Sequence, residues 1–188
     1  MFIRTVAENL SIALPEHHMA EELTALVIRN LDRLKPWMPW AKDDYSIDMC
    51  RGFIQRSLAA FAENGRFEGI IVMNQRPIGT IGFHNYDTAH RNAHIGYWID
   101  KDFEGQGIVS RCCSALIDHL FNDLDLNRVQ INCNVENARS RAIPERLSFQ
   151  FEGIQREIEF LHDRFGDWAV YAMLKRDWLA RRGENNPL

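Results

Sequence analysis

The stretch from Asn92 to Asp123 limits the fold more than any other part of the chain. It begins with an apolar, β-branched and aromatic run, Asn92-Ala93-His94-Ile95-Gly96-Tyr97-Trp98-Ile99-Asp100, which reads as a strand. Lys101-Asp102-Phe103-Glu104-Gly105-Gln106-Gly107 follows as a short turn, and Ile108 opens a long amphipathic run. Ile108, Cys112, Leu116 and Leu120 fall on one helical stripe, with Arg111, Ser114 and Asp118 outside it. A strand that turns tightly into a helix presents unpaired N–H groups and the positive dipole end at the turn. Gly105 and Gly107 have no side chain, so the amides from Gly105 to Val109 can converge on one anion. A pyrophosphate suits that geometry.

Two familiar phosphate loops do not fit. The dinucleotide fingerprint needs a third glycine where Ser110 stands, and no Gly-Lys-Ser/Thr ending for a nucleoside-triphosphate loop occurs. The net charge of −4 argues against broad contact with nucleic-acid phosphates. At 46% hydrophobic and 26% charged residues, the 188-residue chain has the composition of one globular domain. The opening Met1-Phe2-Ile3-Arg4-Thr5 has no signal-peptide pattern, and no apolar run is long enough for a membrane span. Cys50, Cys112, Cys113 and Cys133 form no C-x-x-C pair and read as reduced thiols of a cytoplasmic protein. Adjacent His17 and His18 diverge on a helix start, so no metal is expected.

Around the cradle, Leu10 to Pro15 reads as a first strand and Pro15 to Leu34 as a helix stopped by Pro36 and Pro39. Asp43 to Ser46 precedes a second helix closed by Asn64-Gly65. Phe67–Met73 and Pro77–His84 form a hairpin, and Asn85 to Arg91 is a loop. Arg128 to Asn134 is a strand, Asn137 to Arg146 a short helix and Ser148 to Phe160 a strand. A turn at Asp163 to Asp167 leads to a last strand, Trp168 to Leu174. The order is β-α-α-β-β-β-α-β-α-β-β: a single mixed α/β domain over 1–175 with a polar, fraying tail over 176–188.

His94-Ile95-Gly96-Tyr97-Trp98-Ile99, Glu104-Gly105-Gln106-Gly107-Ile108, Asn127-Arg128-Val129, Asn137-Ala138-Arg139-Ser140 and Leu147-Ser148-Phe149 occur together in one order. In that order they resemble the GCN5-related N-acetyltransferases (GNAT), most closely the branch that acetylates ribosomal-protein N-termini. The likeness runs over nearly the whole chain. It departs at Glu104, where Gln or Arg is usual, at Val109, where Gly or Ala is usual, and at Ser148, where glycine is common; Pro144 interrupts the short helix. The resemblance implies a mostly antiparallel sheet flanked by helices, acetyl-CoA as cosubstrate without a metal, and transfer of acetyl to an amine. Its cofactor contacts would be Tyr97, Trp98 and Ile99 on the strand, Gly105, Gln106, Gly107, Ile108, Val109 and Ser110 in the cradle, and Asn137 on the pantetheine arm. The strand from Ile95 to Ile99 would splay from the one beginning at Arg128, leaving a backbone edge for pantetheine and an N–H near Tyr97 or Trp98 for the thioester carbonyl.

The same likeness gives Glu159, in Glu159-Phe160-Leu161, the role of base and Ser140 that of donor to the CoA sulfur. Glu157 lies two residues away, so on a regular strand the two carboxylates share a face and pattern does not separate them. Asn137 and Ser140 also both suit a helix cap. A peptide α-amine titrates near ~7.7–8.0 against ~10.4 for lysine, which makes a protein N-terminus the easier acceptor. A small amine remains the alternative acceptor, a non-catalytic CoA-binding module the alternative to an enzyme, and a homodimer is left open. Trp37 and Trp40 either staple their loop to the core or wall the substrate. The acceptor pocket is expected from that loop, the Asn85–Arg91 loop and the Phe160–Asp167 turn.

Overall fold

The computed structural model describes residues 3–184. In chain order these form β1 (Ile3–Ala7), β2 (Leu10–Ala13), α1 (Ala20–Arg29), α2 (Leu31–Leu34), α3 (Ile47–Asn64), β3 (Phe67–Met73) and β4 (Arg76–Asp87). Then come β5 (Asn92–Ile99), α4 (Ile108–Asp118), β6 (Arg128–Asn134), α5 (Ala138–Arg146), β7 (Gln150–Leu161), β8 (Arg164–Leu174) and α6 (Lys175–Glu184). The strands make one eight-stranded sheet in the order β1-β2-β3-β4-β5-β6-β8-β7. Pairing is antiparallel except between β5 and β6.

Alternation along the central strands supplies both faces with apolar side chains. Ile71, Ile81, Phe83 and Ile95 meet α4, whose Ile108, Cys112 and Leu116 are buried as its stripe requires, with Leu120 buried just beyond its end. Cys113 and Ile117 are buried too, so α4 is enclosed on a wider face than one stripe. On the opposite face Ile70 and Trp98 meet Leu23, Leu26 and Val27 of α1 and Cys50 and Ile54 of α3. α3 begins where the Ser46 side chain accepts from Met49 N–H and ends at Gly65, whose φ of 72° closes the helix in the left-handed region.

Several boundaries differ from the sequence-based expectation. β1 precedes the strand expected first; it lies at the sheet edge, with Val6 only partly buried against the core. The helix expected to run from Pro15 to Leu34 breaks at Asn30, which is buried. Its side-chain amide donates to Leu26 O at 2.8 Å and Asp100 Oδ1 at 3.1 Å, and its carbonyl oxygen accepts from Lys101 N–H at 3.0 Å. The turn expected over Asp163–Asp167 is only His162-Asp163, both at positive φ, and Arg164 already pairs with Leu161. The segment expected to fray is helix α6 as far as Glu184, because Trp178 is buried and its indole N–H donates to Asp118 Oδ1 at 2.7 Å; 185–188 lie outside the described residues. No helix among the described residues is long and apolar enough to cross a membrane.

Candidate active site

The turn between β5 and α4 is held from beneath. Asp100 is fully buried, paired with Arg29 and bonded to Asn30, which ties the end of β5 to the α1–α2 break. Glu104 pairs with Arg33 at 2.7 Å and lies 3.7 Å from Arg139, so this departure from the family pattern is neutralised by two guanidiniums. Gly105 (φ 74°) and Gly107 (φ 70°) stand in the left-handed region, which side chains resist. A Cβ at either would have nothing within 4 Å, so the space before the amides is open. Gly107 O accepts from Arg111 N–H, and the amides of Ile108, Val109 and Ser110 precede that first helical bond.

β5 and β6 pair only at Asn92–His94 against Arg128–Gln130. Beyond His94 the two strands part, while β5 stays paired to β4 as far as Ile99 and β6 to β8 as far as Asn134. One backbone edge of β5 is thereby freed beside Tyr97 and Trp98. A cavity of about 740 Å³ runs from this fork to the cradle, lined by Tyr97, Trp98, Ile99, Gly105, Gly107, Ile108 and Val109, and by Asn137 and Ser140 of the β6–α5 side. Asn137 caps α5, its Oδ1 accepting from Ser140 N–H at 3.1 Å. Ser140 is therefore not the cap: its hydroxyl instead donates to Cys133 Sγ at 3.2 Å, and its carbonyl accepts from Tyr97 Oη at 2.9 Å. Burial pushes the Tyr97 hydroxyl and the Cys133 thiol up, so both keep their protons at neutral pH. The glycine cradle, free strand edge and N-terminal helix amides fit an extended acyl-CoA.

A second cavity of about 770 Å³ opens on the α1–α3 face and meets the first at Met38, Tyr97 and Trp98. Gly82 and Gly96 are paired on its floor, and His84, Glu68 and Thr80 border them. Trp40 stands over it, 6.0 Å from Tyr45 and 6.3 Å from Trp98 between ring centroids. Both tryptophans of the Trp37–Trp40 loop thus face a cavity, Trp37 the first and Trp40 the second.

Three of the expected residues stand apart. Gln106 is exposed and donates to Asp102 O at 3.1 Å, and Ser110 accepts from Arg146 at 3.2 Å behind the cradle; neither lines the cavity. Glu159 lines neither cavity: its Oε2 accepts from Asn134 Nδ2 at 3.1 Å, at the end of β6. Glu157 does not share its face, because β7 bulges there at a φ of 53° and Glu157 N–H turns to Asp167. The Asn85–Arg91 and Phe160–Asp167 segments do not line the second cavity, which α3 and the strand faces build instead. The hairpin tip touches the tryptophan loop from outside, His162 Nε2 donating to Lys35 O at 2.7 Å. Arg33, Asn30 and His84 had no local signal, since each acquires its place through contacts with residues distant in the chain.

Residues 12–150 match a family profile described as an acetyltransferase (GNAT) domain. YdaF of Bacillus subtilis (strain 168), provisionally named a ribosomal N-acetyltransferase, is 38% identical over 179 residues, 95% of this chain and 98% of that protein. The ribosomal-protein-serine acetyltransferase of Escherichia coli (strain K12) is 31% identical over 170 residues, 90% of this chain and 94% of its own. A solved structure of RimL, a ribosomal L7/L12 α-N-protein acetyltransferase, superimposes with a TM-score of 0.87 at 27% identity, covering 92% of this chain and 98% of that one. That RimL holds coenzyme A, disulfide-bonded to one of its cysteines.

Proposed function

The chain belongs to the GNAT acetyltransferase family, and we propose that it moves an acetyl group from acetyl-CoA to the N-terminal α-amine of a protein, a ribosomal protein being the acceptor. The observation that carries this reading is the fork between β5 and β6, which opens onto the glycine cradle at one end and the second cavity at the other. Acetyl-CoA supplies an activated thioester whose carbonyl would lie at Tyr97 and Trp98. The cradle amides of Gly105 to Val109 hold its phosphates, and Asn137 the pantetheine arm. A strand amide near Tyr97 or Trp98 polarises the carbonyl, and the Ser140 hydroxyl turns from Cys133 to the sulfur as negative charge forms there. Glu159 of β7, beside the end of β6 and reaching through water, is the base for the nitrogen as it becomes an amide.

The second cavity favours a peptide amine over a polyamine. Its charged lining is two carboxylates, Asp48 and Glu68, and two guanidiniums, Arg56 and Arg66, with no excess of acid to hold a polycation. Purified protein incubated with acetyl-CoA and serine-initiated peptides should release CoA and add one acetyl group at the N-terminus. Spermidine should react at least tenfold more slowly at equal concentration. Turnover of spermidine alone would overturn the acceptor assignment.

A further inference from the structure

Acetylation of an amine at neutral pH has to remove two protons from nitrogen, one before attack and one after it. The acceptor arrives largely as ammonium, because an α-amine titrates near ~8. Glu159 of β7, bonded to Asn134 at the end of β6 and outside both cavities, is poorly situated for the first proton. Among the bases lining the second cavity, Glu68 is already paired with Arg66 at 2.6 Å. Asp48 is exposed on α3 and paired with Arg51 at 3.3 Å. His84 is different: its ring lies over the bare backbone of Gly96, where a Cβ would stand 3.6 Å from Cε1 and 3.8 Å from Nδ1. Gly96 adjoins Tyr97, one of the three residues at which the two cavities meet. His84 is exposed, and its ring borders the cavity.

We propose that His84 is a further catalytic residue, the acceptor-side base that takes the first proton from the substrate ammonium. This rests on the acetyl-transfer reading above. The ammonium proton passes to a ring nitrogen of His84 and on to water, leaving a lone pair on the amine. The amine nitrogen attacks the thioester carbon, the C–N bond forms and the C–S bond breaks, and the electron pair leaves on sulfur. The second nitrogen proton goes to the Glu159 side, while the sulfur gains its proton through Ser140.

The surroundings keep the imidazole neutral for this work. Partial desolvation of the ring against its neighbours, then the Arg66 guanidinium just before β3, hold its pKa below the ordinary histidine value, with Glu68 opposing. From β5 the His94 ring lies at 5.7 Å; its own pKa is lowered by burial, by His84 and by Arg128 of β6. Arg56 of α3 lines the same cavity as a further cation, and Asp48 as a further anion. A base that stays neutral down to pH values below ~6.5 can strip ammonium where free amine is scarce.

The wild-type enzyme should therefore show kcat/KM for a serine-initiated peptide that is nearly level from about pH 8 to about 6.5. His84→Gln should follow the free-amine fraction, losing about tenfold per pH unit below ~8 and approaching the wild type at pH 9. Glu159→Gln should lower the rate at all these pH values without adding that slope. Imidazole in the buffer should restore low-pH turnover to His84→Ala. A second readout needs no turnover: in the protein without acetyl-CoA, the NMR titration midpoint of His84 should fall on adding the free-amine peptide and stay put with its N-acetylated form. A His84→Gln profile parallel to wild type, or a midpoint indifferent to the free amine, overturns the assignment. If the midpoint moves but the wild type releases no CoA, the ammonium contact at His84 stands and the acetyl-transfer reading falls.

Discussion

Ser140 has one hydroxyl and two candidate partners, and its place decides what its removal does. Since Asn137 supplies the cap, Ser140→Ala should leave the melting temperature within about 2 °C of wild type, as expected for loss of one weak hydrogen bond to sulfur. It should lower kcat with acetyl-CoA binding retained, because the donor matters most once thiolate charge develops. Asn137→Ala should behave oppositely, losing about 0.5–2 kcal/mol of stability from the cap and weakening acetyl-CoA through the pantetheine arm. Thermal denaturation beside steady-state kinetics separates the two variants; a cold-stable but equally active Ser140→Ala would remove Ser140 from the chemistry. Gly107→Val tests the cradle. The new side chain enters open space, so the penalty in the free protein is only the positive φ, roughly 1–2 kcal/mol. In the complex it stands where phosphate oxygens approach the amides, and calorimetry should find acetyl-CoA affinity at least tenfold lower in a folded protein.

The elements around the fork act as a jig. β5 is fixed at its start by β6, along its length by β4 and at its end by Asp100, which Arg29 and Asn30 clamp to the α1–α2 break. The free edge between is therefore held rather than loose. Asn30→Ala would delete three hydrogen bonds at a buried position and leave the Asp100 carboxylate short of a donor. Denaturant unfolding should show a loss of about 2–4 kcal/mol. Acetyl-CoA affinity should fall as well, because Lys101 N–H loses the acceptor that sets the cradle's first turn. Affinity unchanged in the face of lost stability would mean that the cradle holds its shape without α1. This clamp also marks the limit of what the sequence discloses. The strand, the glycine turn and the helix stripe of β5–α4 are local patterns and could be placed residue by residue. The clamp joins positions some seventy residues apart, and no period or motif in either segment announces it. The second cavity escapes a sequence reading for the same reason: its floor is a glycine pair and its wall is α3, features that take meaning only when β3, β4 and β5 are side by side. Glu157 and Glu159 were inseparable on an ideal strand, and a bulge that the pattern did not signal parts them.

Across the whole molecule the sheet is the common wall between two jobs. Its α4 face carries most of the large core, and its α1–α3 face gives up packing at Gly82, Gly96 and His84 to leave the second cavity. Stability and function can thus be disturbed separately, and α6 offers the cleanest case. Trp178 is 6% exposed, packs into the α4-side core and donates its indole N–H to Asp118, which also pairs with Arg182. None of these residues lines either cavity. Trp178→Ala removes a buried aromatic and leaves Asp118 without its indole donor, which should cost about 3–5 kcal/mol in chemical unfolding. Well below the lowered melting point, kcat and the KM values for acetyl-CoA and peptide should match wild type, because the fork and both cavities are braced from the other elements. A truncation after Leu174 should reproduce the stability loss and the unchanged kinetics. If instead either variant raised KM for acetyl-CoA at a temperature where it remains folded, α4 would have shifted as a body, and α6 would belong to the cofactor site rather than to the core beneath it.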